Sequence, residues 1–261
     1  MSPLELLWEA DGLPAFDLPA ELTALYPGTL GFDETRLYAN FVATIDGAVA
    51  VPAVPQSNKS IAAGSAADRF VMGLLRACAD AVVIGSGTLA ASPGGFWTPT
   101  QAYPDAAGAY DDLRRDLGLS AAPEVVILSA SGSIDPAHRV VEAGALVLTS
   151  DAGAARLGDR AKTVALGTGS ELDPAAVVSA LRARGHRRLL HEGGPHAIGS
   201  FLQAGAVDEL FLTISPLLVG KPETRLGLVE DADLLPGLNT RLLGVRRGGD
   251  HVFLRYEILP A

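Results

Sequence analysis

The sequence predicts a single α/β domain with a mainly parallel sheet and an antiparallel C-terminal edge. Short apolar segments alternate with segments of helical pattern along most of the 261 residues, which is typical of a parallel sheet covered by helices. The last two apolar segments are separated only by Gly248-Gly249-Asp250, which predicts a hairpin. Hydrophobic residues make up 48% of the chain, and no repeat or low-complexity linker divides it.

The first part of the chain differs from the rest in pattern. Residues 1–35 are punctuated by proline and are predicted to form an N-terminal arm with one short helix near 20–26. One domain is predicted over 36–261, beginning with a strand over 37–45. The segment 48–64 is rich in proline, serine and glycine and is predicted to be a loop.

A helix is predicted to begin at Ser65, because Ser65 and Asp68 match a capping box. Its apolar positions share one side, and Cys78 among them indicates a core cysteine. The run 81–84 is continuously apolar, as in a buried parallel strand. The same signals predict strands over 125–128, 145–148, 163–166, 188–191, 207–215, 241–247 and 251–258, and helices over 109–118, 136–143, 152–158, 174–184 and after Pro195.

Charge and cysteine content narrow the class of protein. A formal net charge of −10 argues against nucleic acid or an anionic membrane as partner. One cysteine excludes an intramolecular disulfide framework. The first residues show no signal-peptide pattern, and no apolar run has the length of a membrane span. We therefore expect a cytoplasmic enzyme.

The most informative local feature is Glu192-Gly193-Gly194-Pro195, which follows a short apolar strand. Two glycines allow backbone N–H groups to approach a ligand closely. Pro195 suits the first turn of a helix, whose N-terminus attracts phosphate. The pattern predicts a dinucleotide phosphate site with the Glu192 carboxylate beside it. The alternative for Glu192 is a carboxylate that only caps N–H groups of the turn.

Three further turns follow predicted strands, at Asp46-Gly47, 85–88 and 129–132. Each one alone is more often an ordinary turn, but ligands of parallel sheets bind beyond the carboxyl ends of the strands. Asp46 is either a turn former or a residue that orients substrate or cofactor. The first strand is not followed by Gly-x-Gly-x-x-Gly, so the pattern is not that of an ordinary Rossmann domain.

Four motifs in the same order resemble the reductase domain of the riboflavin-biosynthesis deaminase/reductase, over about 36–258: the runs 40–47, 65–77 and 79–88, and the block 192–220. The resemblance implies a dihydrofolate-reductase-like fold and a homodimer. It also implies NADPH-dependent reduction of 5-amino-6-(5-phosphoribosylamino)uracil to the ribitylamino compound. The fused deaminase needs several zinc-binding cysteines, and Cys78 is the only cysteine. We therefore expect the reductase without the deaminase.

The resemblance also implies roles for individual residues. Asn58, Arg76 and Glu192 match substrate positions, and we take Glu192 and Asp46 as the catalytic candidates. Arg76 could instead be a helix C-terminal cation that the dipole favours. The predicted cofactor-binding residues are Ala43, Ser60, Gly85, Gly87, Thr88, Ser92, Ser129, Gly193, Gly194, Pro195, His196, Ala197, Ile198, Gly199 and Ser200.

Other polar residues near these motifs have weaker assignments. His191 and His196 flank the Gly-Gly turn and could donate a proton, but neither belongs to the family motif. Ser129 and Ser131, and after them Thr149 and Ser150, offer hydroxyls for a ribose 2′-phosphate, which favours NADPH over NADH. The strand over 208–215 and the closing hairpin are predicted to supply apolar edges for the homodimer.

Two departures from the family pattern concern the substrate. Segment 92–100 lacks the arginine that the family uses to bind the substrate phosphate, and Asn40 stands where the fused enzymes carry lysine. The first departure leaves the identity of the substrate open. A pterin or dihydrofolate-type reductase and a non-catalytic NADP-binding protein are therefore the alternatives to the pyrimidine reductase.

Overall fold

The computed structural model describes residues 1–54, 57–220 and 225–260, with the side chains of 57 and 58 left out. Ten strands form one sheet: β1 (Glu5–Glu9), β2 (Arg36–Thr44), β3 (Ala81–Gly85), β4 (Glu124–Leu128), β5 (Leu146–Thr149), β6 (Lys162–Ala165), β7 (Arg188–His191), β8 (Glu209–Ser215), β9 (Thr240–Gly248) and β10 (His251–Ile258).

The helices are α1 (Ala20–Leu25), α2 (Ser57–Ile61), α3 (Ala66–Ala77), α4 (Ser86–Ala91), α5 (Pro99–Ala102), α6 (Ala107–Asp116), α7 (Arg139–Glu142), α8 (Asp151–Leu157), α9 (Pro174–Ala183) and α10 (Pro195–Gln203). Short 3-10 helices precede α6 at Pro104–Ala106 and follow α8 at Gly158–Arg160. Asn58 belongs to α2, but the position of its side chain lies outside the described residues.

The strand order is β1-β9-β10-β8-β2-β7-β3-β4-β5-β6. From β8 to β6 all neighbours are parallel, whereas β1, β9, β10 and β8 pair antiparallel. The predicted α/β class, with a mainly parallel sheet and an antiparallel C-terminal part, is confirmed. Because β3, β7 and β2 are parallel neighbours, the loops after them meet at one edge of the sheet.

The N-terminal segment contains a strand that the sequence did not predict. β1 pairs with β9 and forms one border of the sheet. Leu4, Leu22 and Tyr26 from the same segment are buried in the core. The predicted apolar edges at β8 and in the closing hairpin are wrong, because each of these strands has a neighbour on both sides.

Helices pack on both faces of the parallel part of the sheet, as predicted. One core contains residues of α3 and α6 together with the N-terminal segment, and the other contains residues of α9 and α10. Ser65 caps α3 by accepting a hydrogen bond from the Asp68 N–H at 3.1 Å, as the capping pattern predicts. At the other end of α3, the buried Arg114 guanidinium donates to the Ala77 and Ala79 carbonyls. Both ends of α3 are therefore fixed.

Candidate active site

The turns after β3 and β7 pack directly against each other through glycine. A Cβ at Gly193 would lie 2.9 Å from the Gly85 nitrogen and 2.9 Å from the His191 Cε1. Neither neighbour is the end of a flexible chain, so Gly193 is needed for the close approach of the two turns. A Cβ at Gly85 would meet the Ala197 Cβ at 3.5 Å, and one at Gly87 would meet open space.

Gly194 is the N-cap of α10 and faces Thr88 of α4. Its φ is −63°, which any residue adopts, and a Cβ there would meet only the Thr88 Oγ1, at 3.4 Å. The backbone N–H groups of Gly193 and Gly194 have no hydrogen-bond partner in the described part of the chain. Two free donors at the N-terminus of a nine-residue helix are suited to a phosphate.

The rest of α10 contacts protein. The Pro195 carbonyl accepts a hydrogen bond from the Glu230 N–H at 3.2 Å, and the His196 Nδ1 lies 2.7 Å from the Asp231 Oδ2. A Cβ at Gly199 would lie 2.6 Å from the Glu230 carbonyl oxygen. Ile198 is buried in the core, and the Ser200 hydroxyl donates to the Ala197 carbonyl. Of the predicted run 193–200, its beginning is therefore the part left free for a ligand.

Glu192 is held by Arg76 in a buried two-pronged ion pair. The Arg76 Nε lies 3.1 Å from both carboxylate oxygens, and Nη2 lies 2.6 Å from Oε2. The side chains are 8% and 7% exposed. The two residues are 116 positions apart in sequence, and α3 and the end of β7 bring them together. Among the described residues, the carboxylate is therefore bound by Arg76 rather than by N–H groups of the turn.

Asp46 connects the end of β2 to the chain after β8. Its carboxylate accepts from the Thr44 hydroxyl at 2.5 Å and from the Gly220 N–H at 2.8 Å. The Thr44 hydrogen bond is the main reason that the Asp46 pKa lies below its ordinary value. Arg225 forms an ion pair with the same carboxylate at 3.6 Å. These contacts support the turn-forming interpretation of Asp46.

A cavity of about 270 Å³ lies beside α4, on the side of the turn after β4. Its lining residues are Ser86, Leu89, Ala90, Ser133, Ile134, Asp135 and His138. Asp135 places a carboxylate in the wall of this cavity, and its sequence context gives no sign of this position. The ring of His138 is fixed, with Nε2 3.0 Å from the Ser92 carbonyl and Nδ1 accepting from the Val140 N–H.

The hydroxyls predicted for a 2′-phosphate separate into two groups. Thr149 donates to the Ser129 carbonyl at 2.7 Å and Ser150 donates to the Ala130 carbonyl at 2.7 Å, so both hold the turn together. Ser129 itself is buried, and Ser131 is exposed. Of the remaining predicted cofactor residues, Ala43 is buried in β2 and Ser60 is exposed on α2.

Two buried titratable side chains have environments that the sequence could not reveal. His191 is fully buried against Phe201, both ring nitrogens lack a hydrogen-bond partner in the described residues, and desolvation lowers its pKa to about 3. It is therefore neutral at physiological pH. Burial raises the pKa of Asp68, which is hydrogen-bonded to Thr213. Burial also raises the pKa of the Cys78 thiol to about 12, as expected of a core cysteine.

The chain shares its fold with two proteins of solved structure. It matches a pyrimidine reductase-like protein from Corynebacterium diphtheriae with a TM-score of 0.73 and 22% identity, covering 94% of this chain and 96% of that one. It matches RibD from Acinetobacter baumannii with a TM-score of 0.64 and 20% identity, covering 87% of this chain and 59% of that one. The chain therefore has the same α/β fold as these two proteins.

The sequence defines the family more narrowly. The model of the RibD C-terminal domain matches residues 35–254, and the chain belongs to this family. The riboflavin biosynthesis protein RibD of Mycobacterium tuberculosis is 28% identical over 191 residues, which cover 73% of this chain and 46% of that protein. The chain thus spans less than half the length of this curated relative. Among the described residues, no helix has the length and apolarity needed to cross a membrane.

Proposed function

We propose that the protein is an NADPH-dependent reductase of an aminopyrimidine intermediate of riboflavin biosynthesis. The proposed substrate is 5-amino-6-(5-phosphoribosylamino)uracil and the product is its ribitylamino derivative. The observation that carries this proposal is the turn after β7. There a buried, ion-paired Glu192 immediately precedes two free backbone donors at the N-terminus of α10.

The residues of this turn fit a dinucleotide. The Gly193 and Gly194 N–H groups and the positive end of α10 would hold the pyrophosphate, with the Thr88 hydroxyl facing the same space. When bound, the cofactor supplies the hydride. Glu192 would accept hydrogen bonds from the amino and ring N–H groups of the pyrimidine and hold it in the orientation for transfer. Such positioning can supply a large part of the rate.

The preference for NADPH rests on the turn after β4. The Ser129 and Ser131 hydroxyls are the proposed contacts of the 2′-phosphate. The Asp135 carboxylate, in the wall of the neighbouring cavity, would repel the 2′-phosphate and offset part of the gain from these hydrogen bonds. Because one charge-assisted hydrogen bond contributes roughly 1.5–3 kcal/mol, we still expect NADPH to bind about tenfold more tightly than NADH. Fluorescence titration with both cofactors measures this, and equal dissociation constants would contradict it.

We also propose a homodimer, which would form through a face of the sheet. Five adjacent strands place apolar residues directly opposite one another in the sheet: Phe41, Leu212, Leu254, Val245 and Trp8. They form an apolar row, and Trp8 remains 46% exposed. Apolar surface that is continuous over several strands is typical of an interface. Sedimentation velocity at micromolar concentration should give a species of twice the 26.9 kDa chain mass.

A steady-state assay of NADPH oxidation tests the activity. The proposed pyrimidine is offered beside dihydrofolate at equal concentrations, and only the pyrimidine should be reduced at a useful rate. Reduction of dihydrofolate alone would favour a pterin-type reductase. Cofactor binding without oxidation in the presence of either compound would favour a non-catalytic NADP-binding protein.

A further inference from the structure

The Arg76 side chain uses three of its five N–H donors within the protein. Nε and Nη2 contact the Glu192 carboxylate, and Nη1 donates to the Thr98 carbonyl at 3.3 Å. One N–H on each terminal nitrogen remains. Arg76 as a whole is 7% exposed. Turning this guanidinium toward a substrate phosphate would leave the Glu192 charge buried without a partner, which is strongly unfavourable.

The segment that approaches Arg76 is fixed by its own hydrogen bonds. Thr98 caps α5 by accepting from the Gln101 N–H at 3.1 Å. The Gln101 side chain accepts from the Phe96 N–H at 2.6 Å and donates to the Gly94 carbonyl at 2.7 Å. Segment 92–100 contains no arginine or lysine. It therefore contributes a carbonyl to Arg76 instead of a cation for the substrate.

We propose that Arg76 is a positioning residue that acts through Glu192, and that the substrate is selected by its heterocycle rather than by its phosphate. The two-pronged pair fixes the orientation of the carboxylate, so that this orientation remains unchanged when the pyrimidine binds. This inference rests on the proposed reductase function and concerns how the same site recognises its substrate.

Kinetics with two substrates test the inference. The phosphorylated pyrimidine and its dephosphorylated counterpart are compared in the wild type, Arg76→Met and Arg76→Lys. We expect the wild-type kcat/KM values to agree within about tenfold, the range of one hydrogen bond. Arg76→Met should lower kcat for both compounds by about tenfold or more, by factors that agree within about threefold. Arg76→Lys should have a kcat between those of Arg76→Met and the wild type, because lysine keeps the charge but cannot contact both carboxylate oxygens as the guanidinium does.

Arg69→Met is the matched control, because Arg69 lies on the same helix but is exposed. It should leave kcat for both compounds nearly unchanged. A rise in KM for the phosphorylated compound alone in Arg76→Met would overturn the inference and identify Arg76 as a ligand of the substrate phosphate.

Thermal denaturation of the ligand-free protein tests the pair independently of activity. Arg76→Met and Glu192→Met should each lower Tm by roughly 6–12 °C, because each leaves one buried charge unpaired. The double variant should lose clearly less than the sum of the two shifts. Additive shifts would overturn the inference. If the wild type reduces neither pyrimidine, the proposed function fails. The comparison of Tm between the two single variants and the double variant then decides whether Arg76 acts through Glu192.

Discussion

Lowering the pH should destabilise the protein through His191. The ring is fully buried, and desolvation lowers its pKa from 6.5 to about 3. Below pH 6.5 the unfolded chain therefore binds a proton that the folded chain excludes, so the stability contributed by neutral His191 is lost as the pH falls toward 3. With about 1.36 kcal/mol per pKa unit, the full loss is about 5 kcal/mol and the loss at pH 5 is roughly 2 kcal/mol.

Urea denaturation of the wild type and His191→Leu between pH 7 and pH 4.5 measures this contribution. At pH 7 the variant should be as stable as the wild type or up to about 1 kcal/mol more stable, because it removes two unpaired polar atoms. The advantage of the variant should grow by roughly 2 kcal/mol at pH 5. Carboxylates that titrate in the same range affect both proteins and cancel in the difference.

His138→Leu is the control for the loss of a buried histidine. His138 is 8% exposed, and both of its ring nitrogens are hydrogen-bonded, so this variant should be less stable than the wild type already at pH 7. A pH-independent difference between the wild type and His191→Leu would refute the reasoning. An NMR titration that places the His191 pKa near 6.5 would also refute it.

Two further predictions concern the turn after β7 and the proposed dimer. Gly194→Val should abolish NADPH binding in calorimetry while the protein remains folded, and unchanged affinity in the folded variant would exclude a phosphate site at this turn. Gly193→Ala should instead lower the free energy of unfolding by about 1–3 kcal/mol, because its Cβ would meet the backbone. Leu254→Arg, in the middle of the apolar row, should produce monomers in sedimentation, and a dimer that persists would exclude this face as the interface.

The sequence by itself determined most of the strands and the longer helices, and their order along the chain. Hydrophobic periodicity, helix-capping residues and turn residues are signals that span only a few positions. They were sufficient to predict the strand β7, the capped helix α3 and the closing hairpin. The Glu192-Gly193-Gly194 run also stood out locally, because paired glycines before a helix N-terminus suit a phosphate.

Only the tertiary structure decided which side chains meet. β1 has exposed apolar residues on a short strand, and it exists as a strand because β9 offers a free edge. The sequence made Thr149 and Ser150 candidates for binding a phosphate, but in the structure their hydroxyls donate to carbonyls of the turn after β4. Arg76 had the local pattern of a helix-end cation, and its partner Glu192 comes 116 residues later. Such contacts depend on the order of the strands in the sheet. That order is set by contacts between segments distant in sequence, so the pattern of residues within one segment cannot predict it.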